Sequence, residues 1–374
     1  MAFKRIKTSH ENLYNKLDLK KSLKNNAQFN ILLSERSTGK SFAVKDYAIE
    51  ESLTDISGNS KFIYLRRYKE DITSKSVNKY LTDIVSSGKL KEITKGKYNN
   101  FKVVSREIFA VKVEDDKEIE SVVIGYSMCL AESERYKTQA YNDVARIVFE
   151  EFITHKSYPS SEIDDFESII STVARRDGIE VILVGNTIDR NCPYFSYWSL
   201  RNVPKQKLGT TEIYNFETEQ FDEQGEPIIT KILVEMCNVK ENNTRMIASK
   251  DTETNVNGGW SSKSQAKIKI DSTRHSKIYE IVVQDLYEMY YCVLYQDKFN
   301  SNIFWFVAPK TTEIQKGTRV ISDVVSDNIL WSKRLYAISP QEKYIFNLLK
   351  QDKIFFSDNL TGTQFKNTLR KICV

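Results

Sequence analysis

The chain has 374 residues, with 55 Lys and Arg against 50 Asp and Glu and a formal net charge of +5. Its 40% apolar and 11% aromatic residues suffice for a sizeable core, which excludes a disordered chain and allows two ordinary domains. So small an excess of positive charge does not by itself name a polyanionic partner. The five cysteines, Cys129, Cys192, Cys237, Cys292 and Cys373, include no C-x-x-C pair, so a reducing cytosol is expected and a disulfide framework or zinc knuckle is not.

Residues 1–28 are polar and rich in Lys and Asn. No apolar stretch follows Met1-Ala2-Phe3-Lys4-Arg5, so no signal peptide is expected. Phe29–Leu33 reads as a buried strand, followed by a loop and a helix over Lys40–Ser52. Phe62–Leu65 reads as another strand, with a helical stretch from Val77 to Ser86. Val144–Phe149 and Val181–Val184 are two further apolar runs of strand length. Between them Ser161 can cap an amphipathic helix with Ile163, Phe166, Ile169, Ile170 and Val173 on one face. This alternation predicts an α/β fold with a parallel sheet flanked by helices.

The texture changes after about Leu200. Residues 216–262 are rich in Glu, Gln, Asn, Thr and Gly, with turns at Gly225-Glu226-Pro227 and Asn257-Gly258-Gly259. From Lys277 the pattern is β: Ile278–Val283, Met289–Leu294 and Ile303–Val307. The longest aromatic-apolar run, Ile303–Ala308, is too short to cross a bilayer. Ser339-Pro340-Gln341-Glu342 is a capping box with Pro at the first helical position. A second helix, Thr363–Ile372, puts Phe365, Leu369 and Ile372 on one face. The expected division is an N-terminal domain over 1–205, a linker or small subdomain over 206–270, and a smaller α+β domain over 271–374.

Ser34-Glu35-Arg36-Ser37-Thr38-Gly39-Lys40-Ser41 stands between the first strand and its helix. It is the phosphate-loop pattern G-x-x-x-x-G-K-S with Ser34 in place of the first Gly. Backbone N–H groups of such a loop wrap phosphates, and Gly39 allows close approach. Lys40 would neutralise the β/γ oxygens of ATP, and the Ser41 hydroxyl would ligate Mg²⁺. A surface turn can carry the same short tripeptide; the strand before it, the helix after it and a second motif favour the nucleotide. That second motif is Arg146-Ile147-Val148-Phe149-Glu150-Glu151-Phe152, an apolar strand ending in two carboxylates. Glu150 would hold the metal and Glu151 would polarise the attacking water. Asn186, after the run Glu180–Gly185, is a candidate γ-phosphate sensor, with a simple Gly-Asn turn as the alternative.

These residues resemble the DNA-packaging ATPases of small protein-primed podoviruses. Tyr64-Leu65-Arg66-Arg67-Tyr68-Lys69 is similar to that family's aromatic-Arg-Arg-Tyr-Lys block. Ile147–Phe152 is similar to its acidic strand, which carries Asp at the Glu150 position. Thr172-Val173-Ala174-Arg175 and Pro193-Tyr194-Phe195 also match, and the family has Gly where this chain has Ser34 and Ser37. The likeness covers roughly residues 28–200 and is thin beyond.

The resemblance implies a P-loop ATPase of the additional-strand, catalytic-glutamate type, followed by an RNase H-like domain that has lost its nuclease acids. It implies a homo-oligomeric ring, expected to be a pentamer, that drives double-stranded DNA into a preformed capsid. The ring would work in the host cytoplasm at the procapsid vertex, on a portal and in some phages through a structural RNA, without a membrane. Arg175 sits where the family has its arginine finger, with Arg176 next in line. Arg135 and Lys137 both remain candidates for a second basic residue acting across subunits. Lys156 and Lys69 are the candidates for DNA contact. The lysine-rich stretch 89–102 reads more readily as a solvated surface. The rival readings are a terminase large subunit with an active nuclease, for which the C-terminal strands offer Asp285, Glu288 and Asp297, and a nucleotide-dependent DNA-binding switch. A P-loop kinase would need an Arg-rich lid and a substrate pocket, and neither is recognisable in this sequence.

Overall fold

The structure is a computed structural model. It describes residues 3–7, 27–34, 39–154, 158–173, 178–187, 189–190, 192–221, 223–237, 264–285, 287–310, 312, 314, 317–322, 330–333, 340–350 and 353–372. These fall into two units, one from within 1–154, 158–187 and 205–245, the other from within 188–204 and 246–374.

The first unit is built on ten strands: β1 (Phe3–Lys7), β2 (Phe29–Ser34), β3 (Lys61–Arg66), β4 (Asn100–Val104), β5 (Glu107–Glu114), β6 (Lys117–Cys129), β7 (Val144–Glu150), β8 (Glu180–Asn186), β9 (Thr210–Phe221) and β10 (Pro227–Met236). They lie in the order β1-β9-β10-β2-β8-β7-β3-β6-β5-β4. From β10 to β6 every neighbouring pair is parallel. Antiparallel strands extend the sheet on both sides. The parallel strands are continuous apolar runs, such as Ile31-Leu32-Leu33 and Val181–Val184, because helices cover both faces.

The helices of this unit are α1 (Lys40–Thr54), α2 (Ser74–Ser86), α3 (Lys89–Ile93), α4 (Ser133–Tyr136) and α5 (Glu162–Val173). The Thr73 hydroxyl accepts from the Ser76 N–H and caps α2, whose Val77, Leu81 and Ile84 follow helical spacing into the core. They join Val44, Ala48 and Ile49 of α1 in a cluster that includes Val148. The next residue, Phe149, points to the other face and stacks on Phe166 of α5 at 5.9 Å between ring centroids.

The sequence reading needs correction between 206 and 270. Thr210–Phe221 and Pro227–Met236 are strands of the first sheet rather than a linker or small subdomain, and β10 runs beside β2 from Ile232↔Phe29 to Met236↔Leu33. Ile232, Leu233 and Val234 are fully buried there, and β10 gives the second edge of β2 its main-chain partners. Residues 189–204, as far as they are described, group with the second unit, and residues 205–237 return to the first. Residues 238–263, with the turn at Asn257-Gly258-Gly259, lie outside the described residues, as does Ser339.

The second unit contains α6 (Pro193–Tyr197), β11 (His275–Gln284), β12 (Met289–Asp297), β13 (Ile303–Pro309), β14 (Arg319–Ser322), β15 (Trp331–Ser332), α7 (Pro340–Lys350), β16 (Ile354–Phe356) and α8 (Asn359–Ile372). Its sheet has the order β15-β14-β11-β12-β13-β16. β11, β12 and β13 form an antiparallel meander, and β14 and β15 add parallel strands beside β11. Phe365 of α8 closes the core over Tyr290, Trp305 and Phe356. Among the described residues no helix is long and apolar enough to cross a membrane.

Candidate active site

β2 ends at Ser34 and α1 begins at Lys40; Glu35, Arg36, Ser37 and Thr38 lie outside the described residues. Gly39 turns the chain into α1 at φ 81°, a left-handed conformation that a Cβ would strain. The first turn of α1 has neither a side-chain cap nor an acidic residue. Its N–H groups and the positive end of the helix dipole therefore favour an anion.

Parallel strands deliver their carboxyl ends to one edge of a sheet, where ligands of α/β folds bind. β8 lies between β2 and β7, with Ser34 opposite Asn186 and Glu150 opposite Val184. This brings four of the expected residues together. The Lys40 ammonium donates to Asn186 Oδ1 at 2.5 Å, and the Ser41 hydroxyl donates to Glu150 Oε2 at 3.0 Å. Glu150 is buried, and burial pushes its carboxyl up, against the pull of Ser41, Lys40, Arg66 and Lys45. A buried carboxylate beside a hydroxyl gains from a cation placed between them. These are the hard oxygen donors that Mg²⁺ takes, so the residues fit that ion.

Glu151 is different. It is 65% exposed, and its φ of 58° is left-handed for a residue with a Cβ. Such a conformation costs on the order of 1 kcal/mol and persists where surroundings impose it. Here Arg67 imposes it. Its guanidinium donates to the main-chain oxygens of Glu151 and Phe152 at 3.1 and 2.7 Å, and forks onto the buried Glu162 carboxylate at 2.8 to 3.1 Å. The Phe152 ring then lies against Gly185, where a Cβ would come within 2.6 Å of it. Arg66 takes the Glu151 carboxylate itself at 2.8 Å, and also meets Asp71 at 3.4 Å.

Replacing Arg67 with Met takes the guanidinium away from the buried Glu162 carboxylate, which costs about 3–5 kcal/mol. Urea unfolding should show a clearly lower midpoint, and adding Glu162→Met should restore part of it. An unchanged midpoint for Arg67→Met would refute the clamp.

The remaining expected residues are scattered. Lys69 pairs with Glu132 at 3.4 Å, in company with Arg106 and Arg135, and Lys137 pairs with Glu134 at 2.5 Å. Lys89, Lys97 and Lys102 each hold a carboxylate, as a solvated surface does. Lys156, Arg175 and Arg176 lie outside the described residues. Sequence reasoning missed the roles of Arg66 and Arg67, which entered it only as part of the block shared with the family. It also missed Lys45 and Tyr80, beside Glu150. Lys45 could have been found as the residue one helical turn beyond Ser41.

In the second unit, the buried Asp285 accepts from the hydroxyls of Tyr290 and Thr368 at 3.2 and 3.0 Å, and from the N–H groups of Tyr287 and Glu288. Arg190 forks onto Glu288 at 3.0 Å. Asp297, at the other end of β12, pairs with Arg274 at 2.7 Å. Among the described residues no group of three or more His, Cys, Asp or Glu is arranged to hold a metal ion.

The family model of the podovirus DNA encapsidation protein (Gp16) matches residues 10–216, more than half of the chain. The DNA packaging protein of Bacillus phage B103 is 29% identical over 175 residues, 46% of this chain and 48% of that one. The DNA packaging protein of Bacillus phage phi29 is 28% identical over 175 residues, 46% of each. The chain thus spans about half the length of the curated relatives it matches. Among solved structures, the phi29 viral genome packaging motor assembly aligns over 94% of this chain and 98% of that one, at 18% identity and a TM-score of 0.49.

Proposed function

The chain belongs to the podovirus DNA encapsidation protein (Gp16) family, and from that premise we propose that it is the ATPase of a genome-packaging motor. The observation that carries the reading is the convergence of Lys40, Ser41, Glu150 and Asn186 at one edge of the parallel sheet, with Glu151 next in the chain. β8, inserted between β2 and β7, supports the additional-strand type of P-loop fold. The meander β11–β13 with parallel β14 and β15 supports an RNase H-like second unit. We take that unit to be inactive as a nuclease, because hydroxyls, N–H groups and Arg190 already occupy Asp285 and Glu288.

The chemistry follows from these side chains. Ser41 and Glu150 would hold Mg²⁺, which supplies positive charge to phosphate oxygens when bound. Lys40 exchanges its bond to Asn186 for a phosphate oxygen, and the released Asn186 amide registers that oxygen. Glu151 leaves Arg66 to orient a water for in-line attack. Arg175 stabilises the transferred charge on a neighbouring subunit's nucleotide, so the active form is a homo-oligomeric ring. Lys69 and Lys156 grip DNA phosphates without reading bases. The ring, a pentamer in this proposal, works in the host cytoplasm at the procapsid vertex, on a portal, with or without a structural RNA.

The test is a purified chain given ATP, Mg²⁺ and a duplex carrying a third, triplex-forming strand. Hydrolysis should rise with duplex DNA, and the third strand should be displaced only while ATP is hydrolysed. ATP binding with no displacement would favour a DNA-binding switch, and metal-dependent cleavage of the duplex would favour a complete terminase.

A further inference from the structure

Resting on the reading of Glu150 as the metal-holding acid, we infer that Tyr80 is a positioning residue that retracts the Glu150 carboxylate to where a divalent cation can share it with Ser41. Glutamate carries one more rotatable carbon than aspartate, so a carboxylate at this place has an extra torsion to settle. Two hydroxyls settle it. Glu150 Oε2 accepts from Ser41 at 3.0 Å, and Oε1 accepts from Tyr80 at 3.4 Å. The acid is thus held from α1 on one oxygen and from α2 on the other.

The Tyr80 ring is itself fixed. It stacks on Tyr64 of β3, the strand next to β7, with centroids 4.1 Å apart and planes 23° from parallel. The Lys45 ammonium lies 4.1 Å from the ring centroid. It also donates to the Tyr80 main-chain oxygen and pairs with Asp83 at 2.5 Å. Lys45 is one turn beyond Ser41 on α1, so a single helix face supplies both the metal-side hydroxyl and the cation that steadies Tyr80. A ring with so little freedom delivers its hydroxyl to one point. Partners of this kind, one step removed from the metal, set ligand geometry and tune affinity.

Tyr80→Phe keeps the stack and the cation contact and removes only the hydroxyl. The full-length chain is titrated with Mn²⁺ in the presence of ADP, and free Mn²⁺ is read from its electron paramagnetic resonance signal. Tyr80→Phe should weaken Mn²⁺ binding about tenfold and raise the Mg²⁺ needed for half-maximal hydrolysis, with an unchanged melting temperature. In a Glu150→Asp background the shorter carboxylate is drawn away from Tyr80, so Tyr80→Phe should add nothing there. Equal Mn²⁺ affinity in the parent and Tyr80→Phe, with Glu150→Gln much weaker, would overturn the positioning role and leave the acid's role standing. Full additivity of Tyr80→Phe with Glu150→Asp would also overturn it. If Glu150→Gln binds Mn²⁺ as the parent does, the assignment of Glu150 itself falls, and with it this inference.

Discussion

Lys40→Ala is expected to lower ATP hydrolysis on the order of a thousandfold or more, which is the scale of a lost transition-state charge contact, while the protein keeps its fold. Lys40 is the cation of the proposed phosphate loop, and its ammonium already meets Asn186 across the carboxyl ends of β2 and β8. Its loss should therefore be read in turnover and not in stability. Phosphate release, circular dichroism and a thermal melt on the same preparation decide the matter. A folded Lys40→Ala chain that hydrolyses ATP at the parental rate would remove the nucleotide site from this edge of the sheet. Lys40→Arg keeps the charge in a broader, planar group, and should recover little.

Glu151→Gln should bind ATP with Mg²⁺ and turn over about 10²–10⁴ times more slowly, because an amide cannot take a proton from the attacking water. The carboxylate is exposed and tethered to Arg66, so its job is not packing. Freeing it tests the same point from the other side. Arg66→Ala should raise hydrolysis without DNA and shrink the stimulation DNA provides. Mixing tests Arg175. Arg175→Ala subunits keep Glu151, and Glu151→Gln subunits keep the finger. Each alone should be nearly inactive, and mixed rings should regain part of the rate, more so at higher protein concentration. Parental turnover by Glu151→Gln would move the catalytic role elsewhere. Mixtures that only average the two variants would send the search for a finger to Arg176, Arg135 and Lys137.

What could be read in the sequence was whatever buries a continuous apolar run. β8 announces itself as four consecutive apolar residues, β2 and β7 as three each, and α5 by its 3.6-residue spacing. The motif residues at their ends follow, since a parallel sheet sends those ends to one place. β9 and β10 did not announce themselves. Thr210-Thr211-Glu212-Ile213-Tyr214-Asn215 has no apolar run, yet Thr211 and Glu212 are buried. Polar composition there reads as a linker or small subdomain, although Ile232-Leu233-Val234 is a visible clue. Arg67 was similarly opaque, because its partners Glu162, Glu151 and Phe152 lie 84 to 95 positions away along the chain. Pairing of that range leaves no local pattern. Glu150 in place of Asp was legible as a departure, but what accommodates it, Tyr80 on α2, was not.

The strand order also sets a timetable. β2 has β8 on one side and β10 on the other. Its last residue, Ser34, is made 146 residues (180 − 34) before β8 begins at Glu180. At roughly 5–20 residues per second, the segment Phe29–Leu33 waits about 7 to 30 s on the ribosome for its first neighbour. It waits longer for the second, since β10 begins at Pro227. An apolar strand with two open edges is a template for pairing with other chains. A nascent chain halted before Pro227 therefore leaves one edge of a buried strand open, and one halted before Glu180 leaves both open.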